Sequence, residues 1–104
     1  MRPRDTNPHN TAPHNTAEGA STLALHALGW TLSEPDRAQR LLDVTGLDPE
    51  DLRVRATEPA VLSAVLGFLE SHEPDLLACA EEVGVRPEAL VAARAQLDGG
   101  EVWA

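Results

Sequence analysis

The sequence contains no lysine, a single cysteine and few aromatic residues. One thiol, that of Cys79, cannot close a disulfide within the chain, which excludes a disulfide-stapled secreted scaffold. Arginine supplies every basic side chain, and the 8 basic residues face 17 acidic ones, so the formal net charge is −9. A surface this acidic disfavours binding to nucleic-acid phosphates or anionic lipid, and it is compatible with a basic protein partner.

Long apolar runs are also missing. The longest stretch, near residues 61–69, is interrupted by Ser63 and Gly67 and is too short to span a bilayer. The first residues are charged but have no apolar segment behind them, so we expect no secretory signal and a cytoplasmic location. With aromatic residues at 3%, the core must consist of Leu, Val and Ala, which favours thin, closely packed helices.

The first part of the chain differs in composition from the rest. Residues 1–19 are rich in Pro, His, Asn and Thr, show no hydrophobic periodicity and contain a tandem Pro-His-Asn-Thr-Ala duplication. This composition predicts a disordered N-terminal tail followed by a single folded domain over residues 20–104. His9 and His14 have no further ligands nearby in the sequence, so the tail carries no metal-site prediction.

From residue 21 onward, apolar residues recur at three- and four-residue steps, and proline or glycine separates the segments. The pattern predicts an all-α domain, a compact bundle of about six short helices. The fourth helix is apolar on nearly all sides, so we expect it in the middle of the bundle. The predicted helices are Ser21–Leu32, Asp36–Thr45, Pro49–Ala56, Pro59–Ser71, Pro74–Val83 and Pro87–Leu97.

Two stretches of the chain echo each other. Glu-Pro-Asp occurs at residues 34–36 and again at 73–75. The first copy is followed by Gly-Leu-Asp-Pro at 46–49, and the second by Gly-Val-Arg-Pro at 84–87. Gly46 and Gly84 fit the position after a helix where positive φ is needed, and Leu47 and Val85 fit the hydrophobic residue that folds back. We therefore expect a helix–Gly turn–helix unit used twice, with the fourth helix between the copies.

Residues that could carry chemistry are scattered. His26, His72 and Cys79 are the soft metal ligands of the predicted domain, and none has metal-site spacing to another. Cys79 has no neighbouring cation that would make its thiol reactive, and no nucleophile elbow or phosphate-binding loop occurs. The sequence predicts a protein that is not an enzyme and has no cofactor or metal.

Two functions remain open. The first is a non-catalytic protein-interaction or adaptor module, which includes self-association, with Trp30, His72 and Trp103 as candidate contact residues. The alternative is a helix-turn-helix nucleic-acid-binding regulator that uses the helices near 74–83 and 87–97, with Arg86 and Arg94 as contacts. Two basic residues neutralise few phosphates, so the sequence favours the protein partner.

Several motifs together resemble a known family. They are Ala-Leu-Gly-Trp at 27–30, Leu-Leu-Asp-Val-Thr-Gly-Leu-Asp-Pro at 41–49, Glu-Pro-Ala-Val-Leu-Ser-Ala-Val-Leu-Gly-Phe-Leu at 58–69, His-Glu-Pro at 72–74, and Gly84 with Pro87. In this order they resemble the bacterial, mainly alphaproteobacterial, domain of unknown function 3572, over about residues 20–99. The chain departs from it at Val61 and Cys79, where aromatics are expected, and at Gly67, where Asp is common. The resemblance implies a shared fold unit and no assigned activity.

Overall fold

The computed structural model describes residues 17–99, with side chains from residue 19 onward. These residues form helices joined by short turns, with no strand among them, so the all-α prediction is confirmed. No helix in this range is long and apolar enough to cross a membrane. Most of the predicted tail, together with Trp103, lies outside the described residues. The six helices are α1 (Ala17–Leu32), α2 (Pro35–Thr45), α3 (Pro49–Arg55), α4 (Pro59–Glu70), α5 (Glu73–Val83) and α6 (Pro87–Leu97).

Helix α1 begins earlier than its sequence pattern indicates. It starts at Ala17, four residues before the predicted Ser21, so residues 17–19 are helical although their composition places them in the tail. The reason is Ala20, which is fully buried and continues the apolar stripe of α1 by one turn. A small residue next to a glycine gives a weak periodic signal, because neither contributes much apolar surface to the pattern.

The starts and ends of the helices follow local sequence rules. Each helix from α2 to α6 has a proline in its first or second position, where the missing N–H breaks no helical hydrogen bond. At α3, Asp48 and Asp51 form a reciprocal capping box with distances of 2.9 and 3.0 Å. Gly46 and Gly84 end α2 and α5 with φ of 78° and 90°, so the doubled glycine turn is confirmed.

Helix α4 occupies the middle of the bundle, as predicted, and α1 shares this position. Both helices pack against α2, α5 and α6 as well as against each other. Small side chains at the contacts allow the helix axes to approach closely, because they add little bulk between the backbones. The buried residues of α4 are Val61, Leu62, Val65, Leu66, Phe68 and Leu69, and the alanines buried around it are Ala20, Ala24, Ala27, Ala80 and Ala93.

The two copies of the repeated unit share a turn but differ in packing. Helix α6 buries Leu90 and Ala93, whereas α3 buries no residue and only Leu52, with Ala56 just after it, rests against the core. The arginines of α3 are held by carboxylates within or next to the same helix. Helix α3 therefore lies at the edge of the bundle, and α6 belongs to its core.

The conformation of Gly84 gives the first testable prediction. An alanine there meets no atom within 4 Å, so any loss of stability must come from its positive φ, which disfavours a Cβ by about 1–2 kcal/mol. Gly84→Ala should lower the free energy of unfolding in urea by about 1 kcal/mol. The matched control is Gly29→Ala on α1, which also meets nothing within 4 Å and should stabilise the helix by about 0.5–1 kcal/mol. Equal effects of the two substitutions would contradict this account.

Candidate functional site

A shallow, open groove of about 660 Å³ lies between the C-terminal half of α1 and the C-terminal end of α5. Its lining combines an aromatic ring, an aliphatic side chain and polar groups. We call it the α1–α5 groove, and the residues that line it are His26, Trp30, Ser33, Glu82 and Val83. A shallow surface of this kind suits a segment of another protein better than a small molecule, which is normally enclosed.

Trp30 is held in place by Arg37. The indole is partly buried against the edge of the core, and the Arg37 guanidinium carbon lies 3.6 Å from its ring centroid. Arg37 Nη2 also donates hydrogen bonds to the Trp30 carbonyl oxygen, at 2.6 Å, and to Ser33 Oγ, at 3.1 Å. Stacking and hydrogen bonding together fix the ring, and the cation–π contact alone contributes about 0.5–2 kcal/mol.

The junction between α1 and α2 explains why Arg37 reaches Trp30. Glu34 caps α2 by accepting a hydrogen bond from the Arg37 N–H at 2.9 Å, and Pro35 begins that helix immediately. The first turn of α2 is thereby set directly beside the last turn of α1. The positive charge of Arg37 then lies next to carbonyl oxygens at the C-terminal end of α1, where the helix dipole favours a cation.

Glu82 supplies the negative charge of the groove. It is exposed, and its carboxylate forms no hydrogen bond or ion pair within residues 19–99. It lies in the last turn of α5, which contains no basic residue. Because the helix dipole is negative at this end, a carboxylate here is unfavourably placed and is attracted to any cation that approaches.

The structure places the predicted contact residues in different regions. His72 is the N-cap of α5, and its Nδ1 lies 3.1 Å from Asp75 Oδ2, which also accepts a hydrogen bond from Arg40 at 3.1 Å. Glu82 is ten residues further along α5, about 15 Å away along the helix axis. The structure therefore brings Trp30 to the α1–α5 groove but leaves His72 at the opposite end of α5, and Trp103 falls outside the described residues.

Cys79 faces the interior and is fully buried. Burial raises the pKa of its thiol from 9.0 to about 11, although the positive charge of Arg37 opposes part of that change. The thiol is therefore protonated near neutral pH and is a poor nucleophile. Among the described residues, no group of three or more His, Cys, Asp or Glu side chains could hold a metal ion.

The two arginines of the alternative site lie beside carboxylates. Arg94 Nη1 is 2.7 Å from Glu70 Oε1, and its Nε is 3.6 Å from Asp98 Oδ2. The highly exposed Arg86 has Glu88 3.9 Å away. Helix α6 itself packs against α1 and α4. Arg94 is therefore paired with carboxylates, and Arg86 is a single exposed cation at the start of α6 with Glu88 beside it.

Residues 17–100, the whole helical region described above, match the family described as "Protein of unknown function (DUF3572)". The chain belongs to this family. The resemblance seen in the sequence motifs is thus confirmed over nearly the same range. No curated protein and no solved structure matches the chain. For this DUF3572 domain, the site must therefore be interpreted from its own geometry.

The buried thiol of the DUF3572 domain generates a pH prediction. The sequence has no tyrosine and no lysine, so Cys79 is the only side chain that titrates while pH rises from 9.0 to about 11. In this window the unfolded thiol loses its proton and the folded one retains it, so the free energy of unfolding should fall with rising pH, by up to about 2–3 kcal/mol.

Urea unfolding across this pH window measures the effect, with Cys79→Ala as the control. The variant starts from a lower stability because it leaves a small cavity, but its stability should stay nearly constant where that of the natural chain declines. A parallel decline in both proteins would show that the buried thiol is not the cause.

Proposed function

We propose that this DUF3572 domain is a non-catalytic protein-interaction module that docks its partner through the α1–α5 groove. The observation that carries the proposal is Trp30, held by Arg37 on the rim of the core. Tryptophan is enriched among residues that dominate binding energy at interfaces. A ring that is already fixed loses little conformational freedom when a partner packs against it, so less of the binding energy is spent on ordering it.

A non-catalytic role has its own support. The Cys79 thiol is buried and protonated, so it is a poor candidate for covalent chemistry. Among the described residues, His26 and Glu82 are the titratable groups that line the groove, which is open to solvent. A shallow surface does not exclude water from a reacting group, which catalytic sites commonly require.

The alternative, a helix-turn-helix regulator of nucleic acid, draws on the α5–Gly84–α6 unit. Ala80 is buried, and its carbonyl oxygen accepts hydrogen bonds from the N–H groups of Gly84 and Val85, both at 2.9 Å, which gives the tight turn such units use. The charge argues against this function, because Arg86 and Arg94 each lie beside a carboxylate. Release of counterions from phosphates needs side chains whose charge is free to replace them.

A measurement of DNA binding separates the two functions. Fluorescence anisotropy with a random-sequence DNA duplex at low salt should show no binding by the full chain. A Glu88→Arg variant, which replaces the carboxylate beside Arg86 with a positive charge, serves as the comparison: any binding it gains should be weak and should disappear as salt is raised. Binding by the natural chain that is lost in an Arg86→Ala, Arg94→Ala double variant would instead support the regulator.

Purification of complexes from native cells tests the leading function. The tagged full chain, a Trp30→Ala variant and a Leu77→Ala variant would be compared by mass spectrometry, with circular dichroism as the check of folding and a sizing measurement of the pure protein. Leu77 is an exposed apolar residue of α5 that does not line the groove. A specific partner should be retained by Leu77→Ala and reduced at least tenfold by Trp30→Ala, as about 2 kcal/mol at a central tryptophan implies.

Two results would overturn the proposed function. One is a chain that remains monomeric and recovers no partner under native conditions. The other is a partner recovered equally well by all three proteins, because its binding would then be independent of the α1–α5 groove.

A further inference from the structure

The charge of the α1–α5 groove indicates what kind of partner segment it takes. We propose that its occupant is a basic segment of a partner protein, in which an Arg or Lys side chain pairs with Glu82 and an adjacent apolar side chain packs against Trp30 and Val83. This inference rests on the proposed function and gives the chemistry of its partner.

The position of Glu82 on its helix favours a cationic occupant. Most other carboxylates at helix ends in the described chain have a favourable partner. Asp36 and Glu73 lie in first turns, where the dipole favours them, and Glu70 and Asp98 lie beside Arg94. Asp43, in the last turn of α2, has no cation, but it accepts a hydrogen bond from Gln39 Nε2 at 3.0 Å. Glu82 and the neighbouring Glu81 occupy the last turn of α5 with no cation beside them. A cation bound in the groove from outside the domain would pair with Glu82 and also lie at the negative end of α5.

Two helix ends converge on the α1–α5 groove. Trp30 lies in the last turn of α1, and Glu82 and Val83 lie in the last turn of α5. Both helices therefore direct the negative ends of their dipoles toward the same surface. Arg37 places a cation at the end of α1 through its hydrogen bond to the Trp30 carbonyl oxygen, whereas the last turn of α5 contains no basic residue.

An aromatic and aliphatic surface lies beside the charge of Glu82. Trp30 and Val83 line the groove together with Glu82. Arginine and lysine side chains pack their methylene groups on apolar surface while the charged end reaches a polar group, and an arginine also stacks on aromatic rings. A basic side chain therefore matches Glu82 through its charge, and Trp30 and Val83 through its methylene groups. The formal net charge of −9 adds long-range attraction for such a partner.

Selection from a library of random linear peptides on the immobilised full chain tests the proposal while the partner itself is unidentified. Peptides that bind should be enriched in Arg or Lys next to an apolar residue. Selected peptides would then be titrated by calorimetry into the natural chain and into Glu82→Gln, Glu81→Gln and Trp30→Ala. Glu81 is the matched control, because it carries the same charge on the same helix turn and does not line the groove.

We expect Glu82→Gln to weaken peptide binding about tenfold and Glu81→Gln to change it less than about twofold. Both substitutions should raise the urea midpoint slightly, because each removes a carboxylate from the negative end of α5. Binding that falls while stability rises distinguishes a contact with the ligand from a structural role. Higher salt should weaken the binding as well.

The outcomes separate this inference from the proposed function. One outcome is a set of peptides whose binding requires Trp30, although they carry no basic residue and bind Glu82→Gln as well as the natural chain. Such peptides would contradict the proposal of a basic segment but would still support docking at the α1–α5 groove. Absence of any Trp30-dependent peptide would overturn both. A dimer that is abolished by Trp30→Ala would show that a second copy of the chain occupies the groove. Peptide binding seen only in an Arg2→Ala, Arg4→Ala variant would show that the chain's own N-terminal segment occupies it. Either result contradicts the proposed partner.

Discussion

Close packing of α4 against its neighbours through small side chains is the constraint on which the rest of this structure depends. Alanines of α1, α5 and α6 are fully or almost fully buried around α4, and the core between them is filled by Leu and Val. Phe68 is the single aromatic residue buried there among the described residues. Such a thin core leaves little space for a second large ring, because overpacking forces neighbouring side chains and backbone to shift. Trp30 is accordingly placed at the rim.

The position of Trp30 at the rim connects the fold to the candidate site. Arg37 stacks on the indole and binds the backbone at the end of α1, so the residue that orients the ring also compensates the helix end. At the end of α5 the same electrostatic rule is broken, since Glu82 lies there without a cation. Asp43 at the end of α2 also lacks a cation, but its carboxylate accepts a hydrogen bond from Gln39. A departure from a local rule that is left unsatisfied, as at Glu82, is expected where a protein functions. The departure at Glu82 lies in the same groove as the fixed ring.

Local signals explain how much of the fold the sequence predicts. Proline at helix starts and glycine at α2 and α5 ends act within a few residues, so all six helices and the doubled turn are recognisable without a structure. The start of α1 at Ala17 escapes prediction because Ala20 carries little hydrophobic signal. The unequal packing of α3 and α6 is also hidden in the sequence, because their shared turns do not specify which neighbours each helix meets.

The candidate site is only partly predictable. Trp30 stands out as a rare aromatic residue off the main apolar stripe of α1, and the sequence does identify it. The roles of Arg37 and Glu82 depend on how α2 and α5 pack beside α1, which no spacing along the chain reveals. The sequence also predicts His72 as a contact residue, but the length of α5 separates it from the groove. Arg86 and Arg94 are basic in sequence, and only the fold shows the carboxylates beside them.

The exposure of Trp30 in the folded protein is the measurement that tests this account most directly. A Trp103→Phe variant leaves Trp30 as the single indole, and acrylamide quenching of its fluorescence reports whether solvent reaches the ring. A ring on the rim of a small-residue core should be quenched readily in the native state, with emission red-shifted from that of a buried indole. Native emission that acrylamide reaches only after unfolding would place Trp30 inside the core and contradict the docking groove.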